Sequence, residues 1–190
     1  MNTEFKENGY LVVRDFLPKD FCKFAKLYFK IRQDALDYEI DTQCPESKSF
    51  YGDPFCDSLL LSSCKKMSEI TGLSLLPTYS YTRVYAKQEN LVIHRDRPEC
   101  QYSATLCLGR SENEEISAIY MSKTENKEDG KELLLEEGDL CIYMGTEIYH
   151  WREPFKNSWY LQTFLHYVDK EGPYSHTLYD GRRCLGIKKG

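Results

Sequence analysis

After Pro77 the chain changes character, and that change constrains the fold more than any single motif. Short runs rich in β-branched and aromatic residues follow one another, separated by turn residues, almost to the end. Strands are predicted near 79–86, 91–96, 101–109, 116–122, 131–136, 139–144, 147–152 and 159–168. Ahead of them, Gly9–Leu17 reads as a first strand, and Pro18-Lys19-Asp20 starts a helix. Phe21, Phe24, Ala25, Tyr28, Phe29 and Ile31 give that helix an apolar stripe at roughly helical spacing. Residues 40 to 54 read as a mobile loop. Asp53-Pro54 opens a second helix that runs to Thr71-Gly72, with Phe55, Leu59, Leu60, Ser63, Met67 and Ile70 on one side. The pattern is mainly β with flanking helices (α+β), a jelly roll or barrel with the N-terminal helices packed on one sheet. Phe24, Tyr28, Phe55, Leu59 and Met67 are expected to be buried there. At 190 residues a single domain is the default. Its parts are 1–76 (strand and helices), 77–170 (strand core) and 171–190 (tail).

Composition narrows the function classes. The net charge of −5 is spread without a basic block, which argues against duplex nucleic acid as the main partner. No apolar run reaches the length of a membrane span. The eight cysteines include no C-x-x-C pair, and the opening Met1-Asn2-Thr3-Glu4-Phe5-Lys6 is polar rather than signal-like. A reduced, cytoplasmic setting is expected, with several cysteines, such as Cys107 and Cys141, as small buried residues.

The chemistry concentrates in Leu91-Val92-Ile93-His94-Arg95-Asp96-Arg97-Pro98. Residues two apart in a strand point the same way, so His94 and Asp96 are expected to project together. They would make two-thirds of a 2-His-1-carboxylate facial triad, which holds non-haem Fe(II) and leaves coordination positions open. Only four histidines exist, at 94, 150, 166 and 176. His150 lies on a later strand, after an expected hairpin that joins 133–136 to 139–143 through Glu137-Gly138. His166 reads as a supporting or structural residue and His176 as a surface residue.

A strand histidine, a carboxylate two residues on and a remote strand histidine resemble the iron site of the 2-oxoglutarate- and Fe(II)-dependent dioxygenases. Three segments carry the resemblance: Tyr85-(x)8-His94-x-Asp96, Leu135-Glu136-Glu137-Gly138-Asp139-Leu140 followed by His150, and the closing Gln162-Thr163-Phe164-Leu165-His166-Tyr167. The opening Phe5-(x)3-Gly9-Tyr10-Leu11-Val12-Val13 is similar to the entry segment of phytanoyl-CoA and prolyl hydroxylase relatives. The resemblance implies a double-stranded β-helix with metal ligands His94, Asp96 and His150. It also implies Fe(II), 2-oxoglutarate and dioxygen as reaction partners, with ascorbate as an accessory reductant. Tyr85 stands where prolyl hydroxylases hydrogen-bond the cosubstrate.

One departure stands out. Such enzymes commonly carry an Arg or Lys on the strand after the distal histidine, to pair with the far carboxylate of 2-oxoglutarate. The closing strand here, Trp159–Leu165, has no basic residue. Arg152, two residues after His150, is the first candidate for that anchor, and Arg83, two before Tyr85, is its rival. Arg97 is expected at the mouth, facing a small-molecule or peptide substrate. Two alternatives stay open: a cupin-type metal dioxygenase that does not use 2-oxoglutarate, and a non-catalytic β-helix binding module.

Overall fold

A computed structural model describes residues 2–188. Three helices, α1 (Thr3–Asn8), α2 (Lys19–Asp34) and α3 (Pro54–Thr71), accompany ten strands. The strands are β1 (Tyr10–Val13), β2 (Lys48–Tyr51), β3 (Leu75–Ala86), β4 (Leu91–His94) and β5 (Tyr102–Arg110). They continue with β6 (Ile119–Ser122), β7 (Lys131–Leu133), β8 (Leu140–Met144), β9 (Tyr149–Arg152) and β10 (Trp159–Asp169). All pairings are antiparallel, in a six-stranded sheet ordered β1-β8-β5-β10-β3-β2 and a four-stranded sheet ordered β4-β9-β6-β7.

The period-2 alternation of the long strands divides the core in two. Along β10, Leu161, Leu165 and Tyr167 face the helices and join Phe29, Leu60 and Met67. The intervening Tyr160 and Phe164 face the other way and join Tyr85, Cys107, Cys141 and Tyr143. α2 and α3 therefore cover the outer face of the six-stranded sheet, as the sequence predicts, and the inter-sheet space is left for the site. α3 starts where Asp53 accepts from the Phe55 N–H at 2.9 Å, with Pro54 in its first turn, and stops at Gly72 with φ 70°.

The α2 stripe is narrower than its sequence suggests. Ala25 and Phe29 are buried, but Phe24 is 59% exposed and Ile31 58%. Tyr28 and Phe55 are half-buried, while Leu59 and Met67 are buried. α2 lies on a sheet that α3 shares, so it buries only one edge of its stripe. Phe29→Ala is expected to cost about 3–5 kcal/mol. Phe24→Ala should cost about 1 kcal/mol or less, since only a ring contact with Phe55 is lost. Denaturant midpoints of the two variants check this contrast.

Other boundaries also move. The predicted loop at 40–54 contains β2, too short and too rich in polar residues to show alternation. A capped helix, α1, precedes the first strand. The expected Glu137-Gly138 hairpin is instead a crossover, because β7 pairs with β6 in one sheet and β8 with β1 and β5 in the other. Gly138 still has φ 92°, and a Cβ there would sit 2.4 Å from the Leu17 carbonyl oxygen. The tail folds back through buried Arg182, which donates to Asp57 at 2.9 Å and to the Thr78 carbonyl at 3.1 Å.

Candidate metal centre

His94 and His150 face each other directly across the β4–β9 pair, with ring centroids 4.3 Å apart. Opposed residues of an antiparallel pair project from one face of the sheet, so the register alone brings the two imidazoles together. His94 Nδ1 lies 2.8 Å from the Val92 carbonyl and His150 Nδ1 3.1 Å from the Ile148 carbonyl. A carbonyl can only accept, so each Nδ1 carries the proton and each Nε2 keeps its lone pair. Asp96 arrives by a different route from the one its spacing suggests. β4 ends at His94, and Asp96 lies beyond the ladder, its N–H bonded to the Gly145 carbonyl at 2.8 Å. Its Oδ1 nevertheless sits 3.7 Å from His94 Nε2 and 3.4 Å from His150 Nε2. Its Oδ2 accepts from the Ser103 hydroxyl at 2.7 Å.

These donors fit a metal ion. One atom from each of His94, Asp96 and His150 lies within 4.8 Å of the others. Ligands about 2.1 Å from an ion and at right angles stand ~3 Å apart, close to the observed spacing. Both imidazoles are oriented by hydrogen bonds from their remote nitrogens, and the carboxylate by its second oxygen. Gly145 makes room for this, since a Cβ there would lie 2.1 Å from the Cys100 carbonyl oxygen and 2.6 Å from Asp96 Oδ2.

The electrostatics keep the donors ready. Burial alone would raise the Asp96 carboxyl, but His150, His166 and the Ser103 hydroxyl bring it down to about 2. Burial, reinforced by His150, pushes His94 below its ordinary value. Burial brings His166, hydrogen-bonded through Nδ1 to Ser103 at 2.8 Å, down to about 4. His166 therefore stays neutral in the fold but takes a proton in the unfolded chain below about pH 6.5. Metal-free protein is thus expected to lose stability as pH falls from about 6.5 to 4. His166 contributes about 3 kcal/mol of that loss, and His94 adds in the same direction. The Asp96 contribution is present above about pH 3.9 and disappears toward 2. Chelator-treated protein unfolded by denaturant at pH 7 and at pH 4.5 gives the measurement.

The triad opens into a cavity of about 400 Å³ whose walls include Tyr79, Tyr85, Tyr143 and Phe164. Among the described residues Arg83 is part of that wall and Arg152 is not. Arg83 donates to Tyr85 Oη at 3.3 Å, to Asp41 at 2.6 Å and to Gln43 at 3.0 Å, so its charge is already paired. Arg152 is 1% exposed and packs its guanidinium 5.4 Å from the Tyr160 ring, 5.5 Å from Phe155 and 6.0 Å from Tyr85. Its Nη1 donates to the Ser117 carbonyl at 3.1 Å, while Nε and Nη2 find no acceptor among the described residues. Of the three buried arginines, Arg83 pairs with Asp41 and Arg182 with Asp57; Arg152 has no carboxylate among the described residues. Arg97 lines the cavity with its side chain partly exposed, and is held by Asp180 at 3.0 Å, Glu99 at 3.5 Å and the Tyr79 hydroxyl at 3.3 Å. His176 is exposed. Ser103, Gly145 and Cys100 were not legible as site residues, because each meets Asp96 through the folded arrangement of the chain and belongs to no motif that the sequence shows.

No protein-family model matches the sequence, and no curated protein does either. Solved structures do match. A prolyl-4-hydroxylase from Pseudomonas putida superposes with a TM-score of 0.70 at 16% identity, covering 87% of this chain and 95% of that one. HygX from Streptomyces hygroscopicus, solved with nickel and 2-oxoglutarate bound, gives 0.65 at 13% identity, covering 88% and 85%. A prolyl hydroxylase from Trichoplax adhaerens, in complex with a hypoxia-inducible-factor peptide fragment, gives 0.66 at 12% identity, covering 88% and 87%. The chain thus has the double-stranded β-helix fold found in the 2-oxoglutarate- and Fe(II)-dependent oxygenases.

Proposed function

We propose that this chain is an Fe(II)- and 2-oxoglutarate-dependent oxygenase that acts as a hydroxylase. The observation that carries the reading is the convergence of His94, Asp96 and His150 in one cavity between the sheets. These three residues would hold the iron. Bound there with 2-oxoglutarate and dioxygen, iron supplies an oxidant able to hydroxylate a C–H bond, with succinate and carbon dioxide as by-products. The chain's own residues hold neutral imidazoles and an ionised carboxylate in place, and Tyr79, Tyr143 and Phe164 restrict water.

Arg152 takes the far carboxylate of 2-oxoglutarate in this reading, and Tyr85 helps to orient it. A buried guanidinium without an anion is costly, and a dicarboxylate would relieve that cost. Its guanidinium lies beside Tyr160 of the closing strand, where the expected basic residue is missing. Arg83 instead pins Asp41 and Gln43, and so the loop that carries them, over the cavity. The substrate is a small molecule or a peptide side chain that reaches past Arg97. The HygX structure with hygromycin B bound and the Trichoplax complex with its peptide are consistent with either. Eight unpaired cysteines support a reducing, cytoplasmic location.

The test is 2-oxoglutarate binding to anaerobic protein with and without Fe(II). Metal-loaded wild type should bind it, with about 2.7 kcal/mol of added stability at a hundredfold excess over Kd. Metal-free protein and His150→Ala should not. Metal binding without 2-oxoglutarate binding would favour the cupin-type reading, which the bare closing strand otherwise supports. No binding of either would favour a non-catalytic module.

A further inference from the structure

A second set of donors converges on Asp96. An Asp96 carboxylate oxygen, the Cys100 sulfur and a ring nitrogen of His166 lie within 4.8 Å of one another. All three residues line the same cavity, with Cys100 2% and His166 5% exposed. They come from separate parts of the fold. Cys100 closes the short 3-10 turn Pro98–Cys100, and His166 sits on β10 opposite Ser103 of β5. The thiol has the Tyr79 hydroxyl at 3.1 Å as a polar neighbour. Neither Cys100 nor His166 has a ligand's role in the oxygenase reading.

We infer that Asp96, Cys100 and His166 form a second cation site, selective for thiophilic divalent ions such as Zn²⁺ and Cd²⁺, that competes with the iron triad for Asp96. The two sets differ in softness. Two imidazoles and a carboxylate suit Fe(II), whereas thiolate, imidazole and carboxylate suit Zn²⁺ and Cd²⁺. On binding, the metal–sulfur bond replaces the S–H bond and the thiol proton leaves to solvent. Two dications sharing one carboxylate repel each other, so filling the thiolate set weakens the triad. A thiophilic ion would then inhibit without occupying either triad histidine. The site stands on its own donors, whether or not the triad turns over 2-oxoglutarate.

Anaerobic titration of the full chain with Cd²⁺ and Co²⁺ tests this through thiolate-to-metal charge-transfer absorption. The band is expected in wild type and in His94→Ala, which keeps the thiolate set and breaks the triad. It should vanish in Cys100→Ser, a near-isosteric change, with matched near-ultraviolet circular dichroism reporting the fold, and weaken in His166→Gln. Cd²⁺-loaded wild type should take up Fe(II) less tightly, and Cys100→Ser should remove that effect. Absence of the band in wild type, its survival in Cys100→Ser or its loss in His94→Ala overturns the inference. Cd²⁺ competition that persists unchanged in Cys100→Ser does so too, because the ion would then sit in the triad.

Discussion

Gly145→Ala is expected to cripple metal binding, although glycine 145 carries no ligand. The new Cβ would lie 2.1 Å from the Cys100 carbonyl oxygen and 2.6 Å from Asp96 Oδ2, and the first of these is backbone that cannot swing aside. The Gly145 carbonyl also accepts the Asp96 N–H at 2.8 Å, so any shift of the 145 backbone carries the carboxylate with it. Overpacking of this kind costs about 1–3 kcal/mol of stability. Disturbing the support of a metal ligand costs roughly tenfold to a hundredfold in metal affinity. Fe(II) titration of the folded variant is the check, and wild-type affinity would mean that the Asp96 segment is looser than its contacts indicate.

Arg152→Ala is expected to raise the 2-oxoglutarate requirement by about tenfold to a hundredfold, with Fe(II) affinity nearly intact. That range corresponds to a lost charge-assisted contact of about 1.5–3 kcal/mol. Arg152→Lys should recover part of it, since it keeps the charge but loses the two-pronged grip. The metal-free state separates this from a structural role. Removing a buried cation with no carboxylate partner among the described residues, in favour of an apolar side chain of similar length, should leave stability unchanged or raise it. Arg152→Met is therefore expected to unfold no earlier than wild type while it loses 2-oxoglutarate. Arg83→Ala should do the reverse: it breaks the pair with Asp41 and lowers stability, with a smaller effect on 2-oxoglutarate. If Arg83→Ala alone loses cosubstrate affinity, the anchor belongs on β3.

The two long helices, the eight later strands and the strand positions of His94 and His150 were legible because each rests on local pattern. Phe29, Leu59 and Met67 follow their helical periods, and His94 and His150 sit inside short strand runs. Asp96 comes close to the two histidines by a route that strand alternation does not describe. The strand stops at His94, and the carboxylate is placed by Gly145 and Ser103. The Gly145 contact joins residues far apart in sequence, and the Ser103 contact fits no strand or helix period, so neither leaves a readable pattern. The same holds for the crossover at Gly138, where a turn signal was readable but the sheet that each strand joins was not. Phe24 illustrates the converse: apolar spacing specifies a face, whereas how much of it is covered depends on where the neighbouring helix lies.

The fate of 2-oxoglutarate itself decides whether the chain is an oxygenase. Purified protein with Fe(II), 2-oxoglutarate and dioxygen should form succinate, slowly without a substrate and faster when the right one is supplied. The His150→Ala protein under the same conditions, and wild type without oxygen, should form none above the protein-free control. Succinate formation that needs Fe(II), oxygen and His150 together is the predicted result. Iron-loaded, folded wild type that leaves 2-oxoglutarate untouched, or a His150→Ala protein that consumes it as fast as wild type, would contradict the account.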